Sequence, residues 1–167
     1  MALFSVVLLA GCLSGPILGD QNQEGPVSVN LTNAAGQPYD FRVVVAERTL
    51  NNNEVIVREE TGEASSISPG QGSSTYGFSR PGENSSTVSA VEVPSNISFI
   101  HSEETLQPGE SVRSNIGEFE TGWTVLVIVS RQDRVLWMYT ISCGNGDLVG
   151  LEVTMTPNGT SSGRYCR

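Results

Sequence analysis

The chain has 167 residues, long enough for one domain that buries its own core. Eighteen acidic residues stand against nine basic ones, a formal charge of −9 that a phosphate backbone would repel, which argues against nucleic acid as a partner. All nine basic residues are arginine, and there is no lysine.

The first feature in chain order is the apolar run "ALFSVVLLAGC" at 2–12. It is too short for a bilayer-spanning helix, which needs about 20 residues, but it suits the apolar region of a signal peptide. Its end, "LAGC", resembles the lipobox of prokaryotic lipoproteins, with Leu9, Ala10 and Gly11 ahead of Cys12. The resemblance implies cleavage before Cys12, a diacylglyceryl group on its thiol, and a mature protein held on the outer face of the cell membrane. No basic residue and no twin arginine precede the run, a departure from the usual pattern. Residues 1–12 are therefore expected to be signal segment and lipobox, and the polar stretch 13–26 ("LSGPILGDQNQEGP") a flexible tether.

Strand patterning starts at "VSVNLT" (27–32), where apolar and polar residues alternate. In "YDFRVVVAER" (39–48) Phe41, Val43 and Val45 fall in phase, and "NNN" at 51–53 before "EVIVREE" (54–60) predicts a hairpin. Shorter candidates are "STYGFS" (74–79) and "TVSAVEV" (87–93), set off by the turn clusters "SPGQG", "RPGENS" and "VPSN". The nearly unbroken β-branched run "WTVLVIVS" (123–130) predicts a central strand covered on both faces. After the hairpin-sized "RQD", "RVLWMYTISC" (134–143) places Val135, Trp137, Tyr139, Ile141 and Cys143 on one face. "LVGLEVTMT" (148–156) places Val149, Leu151, Val153 and Met155 inward, and "PNG" (157–159) turns the chain back toward Cys166.

No stretch of the mature chain keeps the spacing of an amphipathic helix, so residues 27–167 are expected to form one all-β domain, an antiparallel β-sandwich. "SISPGQGSS" (66–74) and "TLQPGESVR" (105–113) share a Pro-Gly turn that resembles the one between strands of immunoglobulin-like and fibronectin-like sandwiches. The two copies fit either equivalent turns of a pseudo-symmetric sandwich or convergence. The antibody-type order of a tryptophan between two core cysteines is absent, since Trp123 and Trp137 both precede Cys143.

Three cysteines in an exported chain leave one over. With Cys12 lipidated, Cys143 and Cys166 form the only intramolecular bridge, and their spacing is not the C-x-x-C of a redox pair. The single histidine, His101, lies in "SFIHSEE" with no nucleophile elbow, and one histidine is too few for a blue-copper or zinc site. Carboxylates form no calcium loop, although Glu103 with Glu104, or Glu118 with Glu120, could be read as a glycosidase-like pair. No cofactor is expected. Sequons occur at Asn30, Asn84, Asn96 and Asn158, the second and last in predicted turns.

The acidic, lysine-free composition resembles that of secreted proteins from salt-loving archaea, whose carboxylates keep the surface hydrated while molar salt screens their repulsion within about 3 Å. A GC-rich genome favours arginine over lysine as well, and the two causes are compatible. The expected protein is a lipid-anchored, non-catalytic binding or structural module at the cell surface, with a protein or glycan ligand. A secreted hydrolase or enzyme accessory using surface carboxylates is the alternative.

Overall fold

Alternating side chains and Pro/Gly turns produce twelve strands and no helix among the residues that the computed structural model describes, namely 26–70, 72–78 and 87–167. The strands are β1 Val27–Asn33, β2 Tyr39–Ala46, β3 Val55–Glu59, β4 Ala64–Ile67, β5 Ser73–Gly77 and β6 Val88–Glu92. They continue with β7 Ser98–Leu106, β8 Ser111–Ile116, β9 Thr124–Arg131, β10 Arg134–Ile141, β11 Leu148–Thr156 and β12 Gly159–Cys166. Cys12 and Asn84 lie outside the described residues.

These strands form an all-β sandwich of three stacked sheets. The first is ordered β12-β11-β1-β8, the middle one β5-β10-β9-β2-β7 and the third β4-β3-β6. Every pairing is antiparallel except β1 with β11, which runs parallel because β1 enters the sheet between the last hairpin and β8. Strand β9 sits at the centre of the middle sheet, and both its faces are buried. Val125, Val127 and Val129 pack with Phe41, Val43, Val45, Tyr139 and Ile141 against the first sheet. Leu126 and Ile128 pack with Val44, Met138, Val55, Val57 and Val91 against the third. The third sheet is an addition to the two facing layers expected from the sequence.

Two β-bulges correct the predicted faces. A register shift between Val135 and Trp137 moves Val135 into the core beneath the third sheet, while Trp137, Tyr139, Ile141 and Cys143 keep to the other side. A second shift, between Leu148 and Gly150, buries Leu148 in the core and leaves Val149 on the outer face beside Ser28 and Asn30. The expected hairpin across "NNN" is also corrected, since β2 pairs with β7 and β9 whereas β3 pairs with β4 and β6. The chain leaves the middle sheet at Ala46, buries Leu50 on the way and enters the third sheet at Val55.

That crossing is clamped by ions. Arg48 donates to both carboxylate oxygens of Glu54, and the Asn51 N–H donates to Oε2 at 2.6 Å. The guanidinium first, and the backbone N–H next, pull the Glu54 carboxyl from an ordinary 4.5 down to about 2. Because the folded value lies below the unfolded one, the clamp is complete above about pH 4.5 and is lost as pH falls through about 2. An NMR titration should place the Glu54 carboxyl midpoint near 2, and Arg48→Ala should move it most of the way back to 4.5. A midpoint near 4.5 in the unaltered protein would show that the clamp does not form.

The two Pro-Gly segments are not equivalent turns. Gly109 takes φ +84° in the turn after Pro108, closed by Glu110 N–H donating to the Gln107 carbonyl at 3.0 Å. In the other copy the left-handed position, φ +102°, falls to Gly72 rather than Gly70. Between β9 and β10 the two-residue turn Gln132-Asp133 has both φ values positive, +52° and +61°, the geometry that matches strand twist and makes "RQD" a tight hairpin.

A buried asparagine fastens the 34–38 loop. Fully buried Asn33 donates through Nδ2 to the carbonyls of Gln37 and Leu106, both at 2.8 Å, and accepts from the Ala35 N–H at 3.0 Å. Replacing it with alanine removes all three of these bonds from a buried site. Asn33→Ala is expected to cost about 2–4 kcal/mol in urea denaturation, and a loss below about 0.5 would mean that water replaces the amide.

Candidate functional site

The third sheet does not cover the whole face of the middle sheet. Strand β6 packs over β10, and beside it β9, β2 and β7 continue the middle sheet as the floor of an open groove. At one end the groove widens into a cavity of about 400 Å³ whose lining includes Asp40, Arg42, Glu103, Glu104, Asp133 and Ser130. At the other end a cavity of about 390 Å³ is lined by Val44, Val93, Phe99 and Ile100 among others. Arg42 and Val91 border both cavities, so the groove is continuous, acidic at one end and apolar at the other.

Cross-strand pairing sets the floor. Asp40 lies opposite Thr105, Arg42 opposite Glu103, and Val44 opposite Ile100. The Thr105 hydroxyl donates to Asp40 Oδ1 at 2.6 Å, and Arg42 Nε donates to Glu103 Oε1. These groups are solvent-exposed, so each pair contributes well under about 1 kcal/mol to stability. Their consequence is chemical. With Arg42 on Glu103 and Thr105 on Asp40, both carboxylates that strand pairing sets on the groove floor are already engaged, an arrangement suited to ionic contact rather than to a matched proton donor and acceptor.

His101 is the extra residue of a bulge in β7, between Ser102 opposite Val43 and Ile100 opposite Val44. It is absent from the lining of the groove, and its buried Nε2, like the Ser102 hydroxyl, has no hydrogen-bond partner. Glu103 and Glu104 do not form a pair at one site, since Glu103 shares the groove face with Arg42 whereas Glu104 shares the opposite face with Phe41. Glu118 and Glu120 are exposed and flank Phe119, which packs edge-on against Trp123 with centroids 5.6 Å apart. Their spacing comes from a loop that buries one aromatic ring. No cluster of three or more His, Cys, Asp or Glu positioned to hold a metal ion occurs among the described residues.

A smaller aromatic hollow of about 370 Å³ lies where the first and middle sheets meet, lined by Tyr39, Phe78, Trp137, Arg131 and Gln37 among others. The Trp137 ring crosses directly over Gly77 on the neighbouring strand, where a Cβ would come within 2.6 Å of it, so only glycine allows that placement. The Arg131 guanidinium stands 5.9 Å from the Tyr39 ring centroid and also donates to Gln37 Oε1.

Cys143 and Cys166 form a disulfide, with Cα atoms 5.8 Å apart. The sequons fall in different settings. Asn96 and Asn158 are exposed in turns, whereas Asn30 is half-buried within β1 on the outer face of the first sheet. The groove itself escaped sequence reasoning, since its walls come from 40–44, 89–93, 98–105 and 128–135, which no local motif connects. The one available signal was the two-faced burial of β9, which requires a covering layer on each side.

Comparison with protein-family models, with curated proteins and with solved structures finds no significant match in any of the three.

Proposed function

We propose that this chain is a lipid-anchored, non-catalytic binding module at the outer face of the cell membrane, displayed through Cys12 and the 13–26 tether, with the groove beside β6 as its ligand surface. The observation that carries the binding reading is the groove itself, an open cleft joining the carboxylates of Asp40, Glu103 and Asp133 to an exposed apolar patch on the middle sheet. Engagement of Glu103 by Arg42 and of Asp40 by Thr105, with His101 outside the lining, favours binding over hydrolysis. The anchor rests on "LAGC" and on cysteine parity, for the Cys143–Cys166 bridge leaves Cys12 as the odd thiol. A diacyl group supplies the two chains that stable attachment requires.

The surroundings we infer are salty and extracytoplasmic, where a charge of −9 is tolerated and a disulfide persists. Exposed Asn96 and Asn158 offer glycan attachment points clear of the core. The anchor is tested by mass spectrometry of the protein extracted from membranes. An N-terminal peptide starting at Cys12 and carrying a diacylglyceryl mass supports the reading, and an unmodified Cys12 thiol overturns it.

A further inference from the structure

We propose that the open edge of β6 accepts an extended peptide from a partner protein as a fourth strand of the third sheet, with cationic side chains at the acidic end of the groove and apolar ones at the other. The inference deepens the binding reading above and rests on it. Among the described residues β6 pairs with β3 alone. Five consecutive residues, Ser89 to Val93, border the two cavities, so the groove runs along the strand edge rather than beneath one row of side chains. An edge strand presents main-chain N–H and C=O groups that an added strand can satisfy, while alternate side chains of the guest reach the floor.

The floor defines what those side chains must be. Ile100, paired with Val44 on the groove side of the middle sheet, is 57% exposed, one of the three large apolar side chains left most open among the described residues. With Val44 and Val93 it forms a patch that an apolar guest residue would cover. Three carboxylates, Asp40, Glu103 and Asp133, against one guanidinium at the other end call for arginine or lysine. The bulge at Ser89, which has no partner opposite Arg58 and Glu59, restricts regular pairing to Ala90 onward and so limits the register of the guest.

Charge also selects among occupants. A second copy of this chain carries −9 itself and would bring more carboxylates to an acidic groove. A glycan would leave the strand-edge amides without a regular ladder of acceptors. A cationic-apolar extended peptide satisfies the carboxylates, the patch and the edge together.

The test uses the full-length protein in detergent micelles and three fluorescein-labelled octapeptides, RTRTVTVT, ETETVTVT and RTRPVPVT, followed by anisotropy in 0.1 M and 2 M salt. RTRTVTVT should bind, and both other peptides should bind at least ten-fold more weakly, the proline version because it lacks main-chain donors. Glu103→Arg should reverse the preference between the first two peptides, and Ile100→Thr should weaken RTRTVTVT several-fold; both positions are exposed, and an unchanged melting temperature confirms folding. Deuterium exchange should slow at 90–93 when the peptide is bound. Equal binding of the proline peptide, protection confined to 98–106, self-association without peptide binding, or binding of an oligosaccharide panel in place of the peptides would each overturn the proposal. If no peptide binds while Cys12 is found lipidated, the edge proposal fails and the anchored-module reading stands.

Discussion

Replacing both Cys143 and Cys166 with serine is expected to lower stability by about 3 kcal/mol and the melting temperature by roughly 6–12 °C, without abolishing the fold. The bridge joins residues 23 apart, enclosing the β11–β12 hairpin, so its loss frees a loop of that length in the unfolded chain. The effect should concentrate in β12. This strand is an edge, exposed along most of its length, and its side chains add little to the core. Besides its ladder to β11 it is held by the bridge, by the Thr160 hydroxyl bonded to Tyr139, by Arg164 donating to the Ser142 carbonyl at 2.5 Å, and by the paired main-chain bonds of Asp147 with Arg167. In the double serine variant, amide exchange should accelerate across 159–166 far more than in β9 or β2. Unchanged exchange in β12, or an unchanged melting temperature, would mean that the hydrogen bonds alone fix this strand.

The second large effect concerns the third sheet. Leu126 is completely buried on the face of β9 turned toward that sheet, and Ile141, 1% exposed, lies in the other core. Leu126→Ala and Ile141→Ala should therefore each cost about 2–5 kcal/mol, since each removes three buried carbons and leaves a cavity between packed layers. In a two-layer sandwich one of these faces would meet water, and truncation there would stay within about 0.5 kcal/mol. Near-equal losses at the two positions establish a covering layer on each side of the central strand. A neutral Leu126→Ala would contradict the stacking of β3 and β6 on the middle sheet.

Elements whose side chains obey one period were legible in the sequence. Strand β1 alternates strictly and is buried at every second residue, and the β-branched run of β9 reads as covered on both faces. Legibility failed where one extra residue changes phase. The bulges beside Val135 and Val149 turn both side chains to the opposite side from the one simple alternation assigns. In β7 the bulge at His101 breaks the alternation of a long edge strand rich in polar residues, and in β8 only Val112 and Ile116 carry an apolar signal. The crossing at 47–54 reads as a hairpin in the sequence because Asn-rich turns serve both purposes, and only the distribution of apolar surface between layers decides which. The groove was invisible for a related reason. Glu103 stands beside Glu104 in the sequence, but its companions at the site are Asp40, Arg42 and Asp133, brought together by strand order and not by spacing.

The proposed attachment to a membrane at Cys12, with binding left to a domain that needs no membrane to fold, is tested most directly by fractionation of cells producing the Cys12→Ser variant. The variant should move from the membrane pellet to the soluble fraction, retaining the melting temperature and the peptide affinity of the parent. A Cys12→Ser protein that stays in the membrane fraction, under salt and carbonate washes that strip peripheral proteins, would contradict the account.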